Sequence, residues 1–248
     1  PERCARMTGT VSIVVPTYNE RDNVPRLCQG VSDALAERWP YELIVVDDNS
    51  PDGTADVVRA LSVQDSRVKL IHRSGKLGLG SAVVEGFRAS VGDVWVMMDA
   101  DLSHRPQDLP RLLEGLEGVD VAVGSRYVVG GKTEGWSFTR RVGSRGACLL
   151  ARWWLGLKVR DVTAGFAAYR RGSLEPLLGV LNPRGFKLLL EILVAGKGLS
   201  TREVPITFVE RAAGSSKMGL RETLTFLRLC WRLRFQKRSN ESASVSGR

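Results

Sequence analysis

Four short apolar runs constrain what this chain can fold into: VSIVV (11–15), YELIVV (41–46), RVKLIH (67–72) and DVWVMM (93–98). Rich in β-branched residues and poor in polar alternation, they read as strands buried on both faces. Helix-like segments separate them, at about 22–38, 55–62 and 78–89. That alternation predicts a mostly parallel sheet with helices on both sides, an α/β fold. VDVAVGSR (119–126) continues the pattern after a further helix.

The second half is less regular. Residues 138–157 and 186–196 read as helices, FAAYR (166–170) as a strand, and REVPITFVE (202–210) as a strand broken by Pro205. A basic amphipathic segment covers 220–237, with Leu220, Leu224, Leu227, Trp231 and Phe235 as one helical stripe. We read residues 1–9 as an N-terminal extension, 10–237 as one domain closing on that amphipathic helix, and 238–248 as a disordered tail.

In an open parallel sheet, ligands bind at the carboxyl ends of the strands. Polar clusters stand at three such ends: PTYNE (16–20), Asp47-Asp48-Asn49, and Asp99 with Asp101. Asp99 and Asp101 continue a strand's period of two, so both carboxylates emerge on one side. Without a cation they would repel, and one would take up a proton. Oxygen-only ligation favours Mg²⁺ or Mn²⁺. Taken alone, the pair also fits a helix cap beside a solvated turn residue.

The chain carries 36 Lys and Arg against 27 Asp and Glu among its 248 residues, a net charge of +9, which points to an anionic partner. The cations are dispersed and no recognised nucleic-acid motif is present, so a nucleic-acid-binding module is disfavoured. Cys4, Cys28, Cys148 and Cys230 form no CxxC pair, which fits a reducing compartment rather than a zinc module. Two histidines, His72 and His104, exclude a histidine-rich metal site. GKLGLGSA (75–82) lacks the order of a dinucleotide fingerprint, and GGKT (130–133) lacks the first glycine of a P-loop. No secretory signal is visible, and no uncharged apolar run reaches the ~18 residues of a membrane span.

In their order, VSIVVPTYNE, ELIVVDDNSPDGT, KLGLGSA, GDVWVMMDADLSHRP, VGSRYVVGG and FVERAAGSSK resemble the inverting family 2 glycosyltransferases of GT-A fold. Within these, the likeness is greatest to the dolichol-phosphate (polyprenol monophospho-) mannose synthases, over residues 10–230 or so. The resemblance implies GDP-mannose as donor, a polyprenyl phosphate as acceptor, and the branch that consists of a catalytic domain without a transmembrane domain. It also implies that Pro16, Tyr18, Glu20 and Asp48 line the nucleoside pocket. Asp99 and Asp101 would hold the metal, with Ala100 alongside and Ser103 where some relatives carry a glutamine. Arg126, Lys187, Arg211 and Lys217 match basic residues at the donor phosphates or the acceptor. Arg140 matches an arginine near the acceptor phosphate, a role its neighbour Arg141 could exchange with it. A polyprenyl-phosphate glucosyltransferase using UDP-glucose shares these features.

The apolar RGACLLARWWLGLKVR (145–160), with Trp153 and Trp154 flanked by cations, is the composition of a helix lying in a membrane interface. An ordinary core helix has the same periodicity. The expectation is a cytoplasmic protein attached peripherally to the cytoplasmic face of a membrane, helped or not by a membrane-anchored partner protein.

Overall fold

The computed structural model describes residues 9–182, 187–210 and 220–245. The first four strands are β1 (Val11–Thr17), β2 (Tyr41–Asp47), β3 (Val68–His72) and β4 (Val94–Met97). There follow β5 (Val121–Ser125), β6 (Lys132–Glu134), β7 (Ala167–Arg170), β8 (Thr201–Pro205) and β9 (Thr207–Val209). Among the described residues seven of them form one sheet in the order β3-β2-β1-β4-β7-β5-β8, while β6 and β9 pair separately. The helices are α1 (Val24–Leu35), α2 (Thr54–Gln64), α3 (Leu79–Ala89), α4 (Leu109–Gly115), α5 (Phe138–Leu155), α6 (Arg171–Leu174), α7 (Leu188–Ala195) and α8 (Leu220–Val245).

The absence of polar alternation has a direct cause, because successive strand residues enter two different cores. Val14, Ile44, Val46, Trp95 and Met97 face α3, α5, α7 and α8. Ile13, Val15, Leu43, Val45, Val96 and Met98 face α1 and α4 on the other side. Each such side chain, fully buried, stabilises the fold by about 1.5–3 kcal/mol. On the first side Phe87 stacks on Trp95 with ring centroids 5.1 Å apart. Helix α3 approaches the sheet closely enough that a Cβ at Gly86 would sit 2.3 Å from Val14 Cγ1. Only glycine fits there.

The sheet is parallel except at β7, which runs antiparallel to both β4 and β5. The chain leaves β5 at the carboxyl edge, makes β6 and α5, and re-enters the sheet from that same edge. Gly165 and Phe166 are thereby delivered beside the end of β4. The segment 202–210 is two strands rather than one, since the chain changes sheets at Ile206 between β8 and β9. β6 was not foreseen at all. The final helix runs on to Val245, past residue 237. No glycine or proline interrupts it before Gly247.

Candidate active site at the carboxyl edge of the sheet

The backbone is contorted where the polar clusters stand. Among the described residues, the non-glycine positions with positive φ are Asn19, Asn49 and Leu102, at 60°, 58° and 60°. They follow β1, β2 and β4 respectively. Asparagine tolerates this conformation, whereas Leu102 carries a cost of about 1–2 kcal/mol.

After β2, Asp47 is fully buried and accepts hydrogen bonds from Ser50 N at 2.9 Å, Ser50 Oγ at 2.5 Å and Thr17 Oγ1 at 3.1 Å. This ties the β1 and β2 loops together. Asp48 accepts from Gly78 N at 2.9 Å and from Arg73 Nη1 at 2.5 Å. It therefore organises the glycine-rich loop before α3, which the sequence presents as plain loop chemistry. Glu20 donates its N–H to Thr54 Oγ1 at 3.0 Å, and its carboxylate accepts from Asn23 Nδ2 at 2.7 Å. Tyr18 is partly exposed with the Lys76 ammonium 3.6 Å above its ring centroid, and Pro16 is half-buried near the end of β1. Four of the expected nucleoside-pocket residues, Pro16, Tyr18, Glu20 and Asp48, thus share one strand edge, with Lys76 and Arg73 added.

After β4, Asp101 Oδ1 accepts from Ser103 N at 2.9 Å, closing a tight turn that orients its carboxylate. Asp99 Oδ2 lies 3.6 Å from His104 Nδ1. A Cβ on Gly165 would stand 2.9 Å from Asp99 Oδ2 and 3.2 Å from His104 Cε1, so this glycine makes room for the carboxylate. Ala100 is buried between the two acids. Ser103 is buried too, and its Oγ has no hydrogen-bond partner.

His104 is enclosed by aromatic rings, stacked on Phe166 at 5.3 Å and edge-on to Phe208 at 5.1 Å. Burial pushes its pKa down more than Asp99 and Asp101 push it up, so the ring is neutral. It shapes the loop after the acids, as its sequence position suggests. The same loop is tied to the small sheet, where Val209 N donates to Ser103 O at 3.0 Å and Arg105 pairs with Glu134 at 2.6 Å.

Arg126, just past β5, is not a free phosphate ligand. Its Nε and Nη2 donate to the two oxygens of buried Asp161 at 2.7 and 2.6 Å, and Nη2 also reaches Thr163 Oγ1 at 2.9 Å. Burial pulls the guanidinium's pKa down, and the hydrogen bonds and charge of Asp161 more than offset this, holding it above its ordinary value. Lys187 is half-buried just before α7. Burial first, and then the charge of Arg126, lower its pKa, while Asp99 opposes them. Its charge is thus within electrostatic reach of both Arg126 and Asp99.

Arg140 pairs with Glu210 at 2.5 Å and stacks over Trp136 at 4.1 Å. Its neighbour Arg141 lines a cleft of about 260 Å³ together with Arg126, Lys132, Thr133, Glu134 and Arg145. Of the two arginines, Arg141 is the one that faces this cationic cleft, because successive residues of α5 point about 100° apart. Lys132 and Arg145 were not singled out from sequence; the cleft that unites them is formed by β6, a three-residue strand without a local signature. Arg211 and Lys217 lie outside the described residues.

The carboxylates suit a hard divalent cation. Among the described residues no group of three His, Cys, Asp or Glu side chains could hold a metal. Two carboxylates with an orphaned buried hydroxyl beside them instead suit an ion that takes its remaining oxygens from a diphosphate, the usual habit of Mg²⁺.

Comparison with known proteins agrees with this geometry. Residues 12–178 match the family model described as glycosyl transferase family 2. A polyprenol monophosphomannose synthase of Mycolicibacterium smegmatis is 41% identical over 86% of this chain and 82% of its own length. A dolichol-phosphate mannosyltransferase of Pyrococcus furiosus is 46% identical over 90% of this chain, which spans only 63% of that relative's length. Among solved structures, a mannosyltransferase from Pyrobaculum calidifontis in complex with GDP-Man and Mn²⁺ shares the fold with a TM-score of 0.62 at 20% identity, covering 93% of this chain and 64% of its own. Glucosyl-3-phosphoglycerate synthase from Mycobacterium tuberculosis, in complex with Mn²⁺ and UDP, gives 0.66 at 22% identity, covering 93% and 80%. The GT-A architecture is therefore the fold of this chain, and the chain belongs to glycosyl transferase family 2, in the group that contains the polyprenol monophosphomannose synthases.

Proposed function

We propose that this chain transfers a mannosyl group from GDP-mannose to a polyprenyl phosphate with inversion at the anomeric carbon. The observation that carries the reading is the meeting, at one sheet edge, of a paired-carboxylate loop with a cationic cleft. The loop after β4 is hydrogen-bonded to β9, and β9 pairs with β6, whose residues line the cleft. Two sites for two phosphorylated substrates are thus mechanically joined. The mannosyl relatives at 41–46% identity support the choice of sugar.

Asp99, Asp101 and Ser103 would hold Mg²⁺ or Mn²⁺, which when bound neutralises charge on the donor diphosphate. The acceptor phosphate, with a second pKa near ~6, is already anionic at neutral pH and needs no base. That agrees with a site whose histidine is walled in by Phe166 and Phe208. An acceptor oxygen attacks the anomeric carbon, the bond from that carbon to the diphosphate oxygen breaks, and GDP departs with the electron pair. Arg126, Arg141, Arg145 and Lys187 supply fixed positive charge to the reacting phosphates, and Arg140 braces the cleft wall through Glu210 and Trp136.

Beside the cleft, α5 and α8 carry an exposed aromatic ridge. Trp153 is 75% exposed and Trp231 59%; Trp154 bridges them at 6.1 Å from each, and Phe235 extends the row. α8 packs inward through Phe226, Leu229, Cys230 and Leu233, which leaves the stripe of Leu224, Leu227, Trp231 and Phe235 outside. Among the described residues no helix is long and apolar enough to cross a membrane. The ridge, with Arg228 exposed nearby, suits peripheral contact with an anionic bilayer surface.

A thermal-shift panel of GDP, UDP, their mannose and glucose conjugates and Mn²⁺ tests the donor. Stabilisation by GDP-mannose with Mn²⁺ supports the proposal, whereas stabilisation by UDP-glucose alone redirects it to glucosyl transfer. Flotation with anionic liposomes tests the ridge: Trp153→Ala with Trp231→Ala should abolish binding. No binding by the wild type would leave attachment to a membrane-anchored partner protein.

A further inference from the structure

We infer that Asp161 is a positioning residue for the acceptor, fixing the Arg126 guanidinium so that one of its edges is presented to the cationic cleft. This rests on the transfer reaction proposed above. Asp161 is fully buried, and both of its oxygens are committed. Oδ2 accepts from Arg126 N at 3.0 Å and Nε at 2.7 Å, while Oδ1 accepts from Nη2 at 2.6 Å. Nη1 is the donor of this side chain that neither Asp161 nor Thr163 claims, and Arg126 lines the cleft.

The backbone that carries this carboxylate is held from behind. Glu203 on β8 accepts from Asp161 N at 3.0 Å and from Arg160 N at 2.8 Å. Around the guanidinium stand the rings of Tyr127, Trp136 and Phe208, with centroids 5.1, 5.3 and 5.5 Å away. An arginine so enclosed cannot swing to meet a ligand. Its direction is set in advance by the bidentate fork, whose two donors a carboxylate can accept and an amide, with one acceptor oxygen, cannot.

The test is steady-state kinetics with GDP-mannose and a short, water-soluble polyprenyl phosphate as varied substrates. Asp161→Asn should raise the acceptor KM about tenfold, by loss of a bidentate ion pair, and Thr163→Val about two- to threefold, by loss of a single bond from the guanidinium to a hydroxyl. GDP affinity in the presence of Mn²⁺, read by calorimetry, should stay within about twofold of wild type, because the donor acids are held by other partners. A merely structural role predicts instead that activity falls with the folded fraction while the acceptor KM is unchanged, and that result would overturn the inference. Should Asp161→Asn not fold, an unchanged acceptor KM in Thr163→Val overturns it equally. If the wild type transfers to no polyprenyl phosphate, the reaction itself is wrong and the inference falls with it, an outcome plainly distinct from an active enzyme indifferent to Asp161.

Discussion

The acids and the cations of this site are held in opposite ways. At the ends of β2 and β4, carboxylates are oriented chiefly by backbone N–H groups and hydroxyls: Ser50 N on Asp47 and Ser103 N on Asp101 within three residues, and Gly78 N on Asp48 from 30 residues away. Arg73 on Asp48 is the exception. At the end of β5 and the start of α5, cations are oriented by carboxylates from far along the chain. Arg126 takes Asp161, 35 residues away, and Arg140 takes Glu210, 70 residues away. The first arrangement leaves negative charge to be neutralised by a metal. The second fixes the direction of positive charge.

That contrast explains what could be read from the sequence. Asp99 and Asp101 were legible because a buried strand dictates where its next residues emerge, and the turn that follows is made within five residues. The sheet and the helices after it were legible for the same reason, since both depend on local periodicity. Nothing local marks Asp161, Lys132 or Arg145, whose roles exist only after β6, α5 and the antiparallel β7 have folded back to the edge. Arg126 was found through its place after a strand, but its counter-ion was not. Which of Arg140 and Arg141 lines the cleft likewise depends on distant contacts, since Glu210 and Trp136 hold Arg140.

Removing an acid should do the greatest damage. Asp101→Ala is expected to reduce transfer by about a thousandfold or more while the circular dichroism spectrum and melting temperature stay near wild type, as the turn lies outside the core. A near-normal rate would remove the metal assignment. On the cation side, Arg141→Ala should raise the acceptor KM about tenfold and leave the donor KM unchanged, consistent with loss of one charge-assisted contact. Equal effects on both substrates would erase the division into two sites.

Gly165→Ala sharpens the comparison, because it alters the acidic loop by crowding alone. Its Cβ would stand 2.9 Å from Asp99 Oδ2, so Mn²⁺ affinity measured with GDP present should fall by about threefold to tenfold, with acceptor binding spared.

The smallest effect concerns pH. Hydrogen bonds from Ser173 and Ser200 hold the Asp120 carboxyl below its usual range, so its stabilisation is present near neutrality and is lost as pH falls through its lowered folded-state pKa. On α7, burial raises the Glu191 carboxyl despite its contacts to Asn182 and Arg232. A raised carboxyl has the opposite sign, and its contribution improves as pH falls from neutral toward the ordinary carboxylate range. The urea midpoint of wild type relative to that of Glu191→Gln should therefore rise as pH falls from about 7 to 5. A difference that shrinks over that range would contradict this.

The most direct measurement is a Mn²⁺ titration followed by electron paramagnetic resonance, with and without GDP. With two carboxylates and a hydroxyl on offer among the described residues, the ion should bind weakly to the protein alone and about a hundredfold more tightly once GDP supplies its phosphate oxygens, a gain that Asp99→Ala and Asp101→Ala both remove. Tight binding without nucleotide, or an unchanged titration in those variants, would mean that the paired carboxylates do not hold the ion.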